Sequence, residues 1–85
     1  MNNKLEIFKK KLIYRAAYRG TKEMDMLLSS FVNKYINSFD ESLLIELEKF
    51  LNFEDEIILN YYQKDIVQKK IDINRVSKIF KNYKL

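Results

Sequence analysis

From residue 4 to 18, Leu5, Phe8, Leu12 and Ala16 recur every third or fourth position, with Lys9, Lys10, Lys11 and Arg15 largely on other faces. That spacing predicts a first amphipathic helix from Lys4 to Tyr18. Gly20 follows, where a helix end commonly needs a left-handed residue, and Thr21 is able to cap the next helix, so Arg19 to Thr21 reads as a sharp junction. Met24, Leu27, Leu28, Phe31, Val32, Tyr35 and Ile36 form a wide apolar stripe that predicts a central helix from about Lys22 to Ile36. The pattern breaks over Asn37 to Asp40. Ser38 and Glu41 fit a capping box at the start of a third helix, about Phe39 to Leu51, which carries Leu43, Leu44, Leu47, Phe50 and Leu51.

Asn52 to Glu56 reads as a short acidic turn into a fourth helix, Glu54 to Gln63, with Ile57, Ile58, Tyr61 and Tyr62 on one side and carboxylates at its positive end. Beyond the polar stretch Lys64 to Lys70, Asp72 is placed to cap a fifth helix bearing Ile73, Val76, Ile79, Phe80 and Tyr83, with lysines at 78, 81 and 84 suiting its C-terminus. The apparent loops are short, and neither a repeat nor a Pro/Gly/Ser linker interrupts the order. The expected architecture is all-α: a small five-helix bundle, one domain over residues 1–85.

Composition agrees. The chain has 85 residues, no Pro and one Gly, so the strongest helix breakers are almost missing. The 14% aromatic content is read as core and rim packing. Cys and His are both absent, which removes disulfides, thiolate sites, the usual general base and the commonest zinc ligand. No Gly-rich phosphate loop or carboxylate cluster of metal-ligand spacing compensates. The expectation is a non-enzyme with no catalytic residue, no metal and no stably bound cofactor. No apolar run is long enough to span a bilayer, and the N-terminus lacks the pattern of a signal peptide, so a cytoplasmic protein without membrane insertion is expected.

Charge is blocked. Residues 1–22 carry seven Lys/Arg against one acid, residues 23–62 two against nine, and residues 63–85 seven against two. Basic ends around an acidic middle suit internal charge complementarity better than a cationic clamp on phosphates. A small basic helical nucleic-acid-binding or regulatory protein, with the first or fifth helix against phosphates, is the alternative reading. A membrane-surface role for the first helix is a third, and it competes with the need of so small a core for that helix's apolar face.

The candidate chemistry sits in the run Leu12-Ile13-Tyr14-Arg15-Ala16-Ala17-Tyr18-Arg19-Gly20-Thr21-Lys22-Glu23-Met24-Asp25, where Arg19, Gly20 and Glu23 stand out. A residue without a side chain lets another backbone approach, Arg19 offers a planar fork for a carboxylate or phosphate, and Glu23 lies in the first turn of a helix, where the dipole favours its charge. Together they make a bipolar docking point. A glycine helix stop flanked by charges is also commonplace.

Over roughly residues 8 to 63 the chain resembles the succinate dehydrogenase assembly factor 2 (SdhE) family. Arg19, Gly20, Thr21, Lys22, Glu23, Met24 and Asp25 match each place of that family's Arg-Gly-x-x-Glu turn. Ser38 to Glu41 resembles its capped third helix, and Glu54 to Tyr62 its acidic turn and short aromatic helix. Tyr18 stands where a basic residue commonly precedes the motif, and Tyr61 where a Trp is usual. The resemblance implies a chaperone-like factor that binds the flavoprotein subunit of succinate dehydrogenase, in some bacteria also of fumarate reductase, and promotes covalent attachment of FAD to a histidine of that subunit. The flavin is then bonded to the partner, and the factor is a monomer when free, in the bacterial cytoplasm. Partner-binding residues expected on this basis are Arg19, Gly20 and Glu23, with Arg15, Tyr18, Lys22, Asp25 and Tyr61.

Overall fold

The computed structural model describes residues 3–64 and 74–84. Among the described residues five helices follow in order: α1 Asn3–Ala17, α2 Lys22–Tyr35, α3 Glu41–Leu51, α4 Asp55–Lys64 and α5 Arg75–Lys81. The stripes read from the sequence face one another: α1 packs on α2 and α3, α3 packs on α5, and α5 packs on α4. One core receives residues from every helix, among them Leu12 and Ala16 of α1, Leu28 and Phe31 of α2, Leu47 and Phe50 of α3, Ile58 of α4 and Phe80 of α5. The five-helix, all-α architecture is as expected.

The centre of that core is aromatic. Phe80 lies with its ring centroid 5.0 Å from Phe31, 5.1 Å from Phe50 and 4.8 Å from Tyr62. Such edge and tilted contacts add to what burial alone contributes, because ring edges and faces carry opposite partial charges. Tyr83, beyond α5, is tied in as well. The Tyr62 hydroxyl donates to the Tyr83 carbonyl at 2.6 Å, and the hydroxyls of Ser30 and Tyr83 lie 2.7 Å apart.

Two helix starts differ from expectation. Asp40 caps α3, its carboxylate accepting from the Leu43 amide at 2.9 Å. Ser38 belongs to the turn that ends α2: its amide and its hydroxyl both donate to the Tyr35 carbonyl, so the hydroxyl is spent backwards. Phe39, buried between the two helices, fixes the chain direction there. Asn74 caps α5 in a capping box with Ser77, which is itself fully buried with its hydroxyl satisfied. Asp72, expected in that role, and residues 65–70 of the expected polar stretch lie outside the described residues.

Candidate functional site

The junction between α1 and α2 is a corner whose parts point in opposite directions. Gly20 has φ +122°, a backbone conformation that L side chains rarely adopt, and a Cβ built on it meets nothing within 4 Å. Glycine is therefore required by the backbone and not by crowding within the molecule. The space above it is open. Thr21 caps α2 as expected, its hydroxyl accepting from the Met24 amide at 3.3 Å. Asp25 braces the corner from inside, accepting the Arg19 amide at 2.5 Å.

Arg19 turns inward. Its Nε donates to the Asp55 carboxylate at 2.8 Å, and its two terminal nitrogens donate to the carbonyls of Leu51 and Phe53, each at 2.7 Å. Only 10% of its side chain is exposed. Those carbonyls lie at and just beyond the end of α3, where the helix leaves acceptors unsatisfied and its dipole favours a cation. Asp55 opens α4, where an anion is favoured. The guanidinium thus joins the negative end of one helix to the carboxylate at the positive end of the next. The expectation that Arg19 holds an open fork toward a partner is corrected, because the orphan carbonyls of α3 take its donors. Arg15, one turn earlier, donates to the Asn52 side-chain carbonyl in the same turn, so two of the cations that a phosphate-binding reading of the first helix relies on are already bonded.

The outward parts are Tyr18, Lys22 and Glu23, all exposed around Gly20. Tyr18 is 70% exposed and its ring lies tilted against that of Tyr14, itself exposed, with centroids 4.6 Å apart. Glu23 accepts at 3.4 Å from the Gln63 amide, a long contact that leaves most of its acceptor capacity to solvent. Beside it runs a groove of about 240 Å³ between α2 and α4, lined by Glu23, Met26, Leu27, Tyr62 and Gln63. Tyr61 is not on this surface. It is 4% exposed, its carbonyl accepts from Lys81, and the Lys81 ammonium sits 5.1 Å from its ring centroid. The inward phase of α4 that buries Ile57 and Ile58 buries Tyr61 too, which corrects its assignment to the docking surface.

Sequence reasoning missed Asp55, whose carboxylate was read only as favourable to the helix dipole, and Met26, which is 53% exposed. A signal existed for Met26. It falls on the stripe Lys22, Met26, Ser29 and Asn33, otherwise polar, so an apolar residue there is unneeded by the core. For Asp55 the local sequence carries no signal, since its partner is 36 positions away. Among the described residues no cluster of carboxylates is arranged to hold a metal ion, and no helix is long and apolar enough to cross a membrane.

The family described as "Flavinator of succinate dehydrogenase" matches residues 10–84, nearly the whole chain, including the corner. The chain belongs to this family. Among curated proteins it is similar to the mitochondrial succinate dehydrogenase assembly factor 2 of Scheffersomyces stipitis, at 43% identity over 51 residues, 60% of this chain and 34% of that protein. Assembly factor 2-A of Drosophila willistoni is 39% identical over 51 residues, covering 60% and 32%, and assembly factor 2 of Drosophila virilis is 43% identical over 44 residues, covering 52% and 28%. The matched segment spans about a third of the length of these relatives. No solved structure matches the chain. These curated relatives are named as assembly factors.

Proposed function

We propose that this chain binds the flavoprotein subunit of succinate dehydrogenase and promotes covalent attachment of FAD to it, with the open corner as its docking surface. The observation that carries this reading is Gly20: a left-handed residue with free space above it, with exposed Tyr18, Lys22 and Glu23 close to it in sequence, in a turn that resembles the family's Arg-Gly-x-x-Glu turn. A partner backbone is able to approach there without meeting a side chain. Glu23 supplies an ionised acceptor for a charge-assisted bond, and Tyr18 an amphipathic ring of the kind that anchors interfaces.

The chemistry belongs to the partner, since this chain lacks the side chains usually bonded to flavin. What the factor contributes is differential binding: by favouring the FAD-loaded, unlinked subunit in an aligned conformation, it raises the population ready to react. The curated relatives are mitochondrial by name. For this chain we infer the bacterial cytoplasm. The basic first helix is built into the fold through Leu12 and Ala16.

The test expresses the candidate flavoprotein subunit with and without this chain and looks for flavin fluorescence that stays with the denatured subunit. Attachment that rises with the factor, and falls when Glu23→Ala or Gly20→Arg replaces it, is the expected outcome. Equal attachment with and without the factor overturns the reading.

A further inference from the structure

The corner presented to the partner is not held by α1 and α2 alone. Residues 18–21 form no helix, and the open side of Gly20 gives them no packing. Tyr18 touches the Tyr14 ring and Thr21 is tied to α2 by its cap; Arg19 between them is restrained by the Asp25 carboxylate on its amide and by the three bonds of its guanidinium to Leu51, Phe53 and Asp55. We propose that Arg19 and Asp55 are positioning residues for the docking corner, touching no partner, and that their bond sets the fraction of molecules in which Gly20 and Glu23 are presented in binding geometry. The inference rests on the proposed function above and assigns a role to Asp55, a residue outside the motif.

The geometry explains why arginine is suited to the task. A lysine supplies a single point of charge, whereas the guanidinium aims donors in fixed directions, here at two carbonyls and a carboxylate. Asp55 matters because it is the one anionic partner of the three. With its charge removed, as in Asp55→Asn, the guanidinium is left with neutral acceptors alone, its strongest bond weakens, and the backbone of residues 18–21 gains freedom. Apparent affinity falls in proportion to the binding-competent fraction, so a corner populated a tenth as often gives capture weaker by about tenfold.

The experiment compares Arg19→Lys, Asp55→Asn and the double variant in two measurements. The first is amide exchange in the free full-length protein. The Arg19, Met24 and Asp25 amides, each bonded within the corner, are expected to exchange several-fold faster in both single variants, by a clearly larger factor than those of Leu28 and Leu47 in the core. The second is capture of the FAD-loaded flavoprotein subunit of succinate dehydrogenase. Each single variant is expected to lose about tenfold, and the double variant no more than the weaker single one, because both remove the same restraint.

Exchange at the corner unchanged in both variants overturns the proposal. So does a loss of capture by Arg19→Lys with capture fully kept by Asp55→Asn, since that pattern belongs to an arginine that contacts the partner and is set free by losing Asp55. Core amides that speed up as much as the corner also overturn it, by showing a general loss of stability. Failure of the unmodified protein to capture the subunit sinks the proposed function instead, and the exchange measurement still decides whether Arg19 and Asp55 hold the corner.

Discussion

Arg19 Nε meets the Asp55 carboxylate at 2.8 Å across 36 positions of sequence, joining the turn after α1 to the first residue of α4. With 10% and 24% of the two side chains exposed, the pair is better shielded than ordinary surface ion pairs, which contribute little. Arg19→Ala leaves the Asp55 carboxylate and two carbonyls without these donors, and losses of this kind cost about 2–4 kcal/mol. Urea unfolding followed by far-UV circular dichroism is expected to show that drop as a lower midpoint with little change in slope.

Gly20 separates strain from obstruction. Any L residue at φ +122° is strained, while nothing within 4 Å blocks a side chain. Gly20→Ala and Gly20→Arg should therefore lose similar stability, about 1–3 kcal/mol. Capture of the flavoprotein subunit should not follow stability: the arginine variant is expected to fail where the alanine variant keeps partial binding, because only the long side chain fills the open space. Thermal melts beside pull-down titrations check both halves. Equal capture by the two variants counts against a close approach at this point.

Glu46 and Arg75 tie α3 to α5. The Arg75 amide and Nε donate to the two carboxylate oxygens of Glu46 at 2.8 and 2.7 Å. The side-chain hydrogen bond from Arg75, helped by the backbone bonds and by its charge, holds the Glu46 carboxyl below the usual glutamate range against the opposing effect of burial. Because the folded-state pKa is lowered, the contribution is complete above the unfolded value of about 4.3 and is lost as pH falls through the lower folded value. Glu46→Gln is expected to flatten the acid side of the stability profile and to leave its slope near neutrality unchanged. Urea midpoints measured from neutral pH into the acid range show whether it does.

The fold was legible because the core is periodic. Leu12, Ala16, Leu28, Phe31, Leu47, Phe50, Val76 and Phe80 are buried where helical spacing put them, and spacing depends only on near neighbours in sequence. Caps were less secure. Ser38 and Asp40 both offer an oxygen before α3, and the choice fell to Asp40 because the turn ending α2 had claimed the Ser38 hydroxyl. The corner was legible in its backbone, through Gly20 and Thr21, and not in the direction of its arginine. A guanidinium beside a glycine looks the same in sequence whether it faces outward or inward. Its partners here are backbone carbonyls and an aspartate brought near only by tertiary packing.

The two tyrosines assigned to the docking surface separate by the same logic, and a pair of substitutions distinguishes them. Tyr61 is 4% exposed and Tyr18 is 70% exposed. Tyr61→Ala empties a core position between α4 and the Lys81 side chain and should cost about 3–5 kcal/mol, the range for removing a large buried aromatic ring. Tyr18→Ala loses a ring tilted against Tyr14 at the surface and should change stability by no more than about 0.5 kcal/mol. Capture should separate them the other way, with Tyr18→Ala weakened, and Tyr61→Ala binding normally once measured at a temperature where it is fully folded. A Tyr18→Ala protein that captures the flavoprotein subunit as well as the unmodified chain removes this ring from the docking surface, leaving Gly20, Lys22 and Glu23.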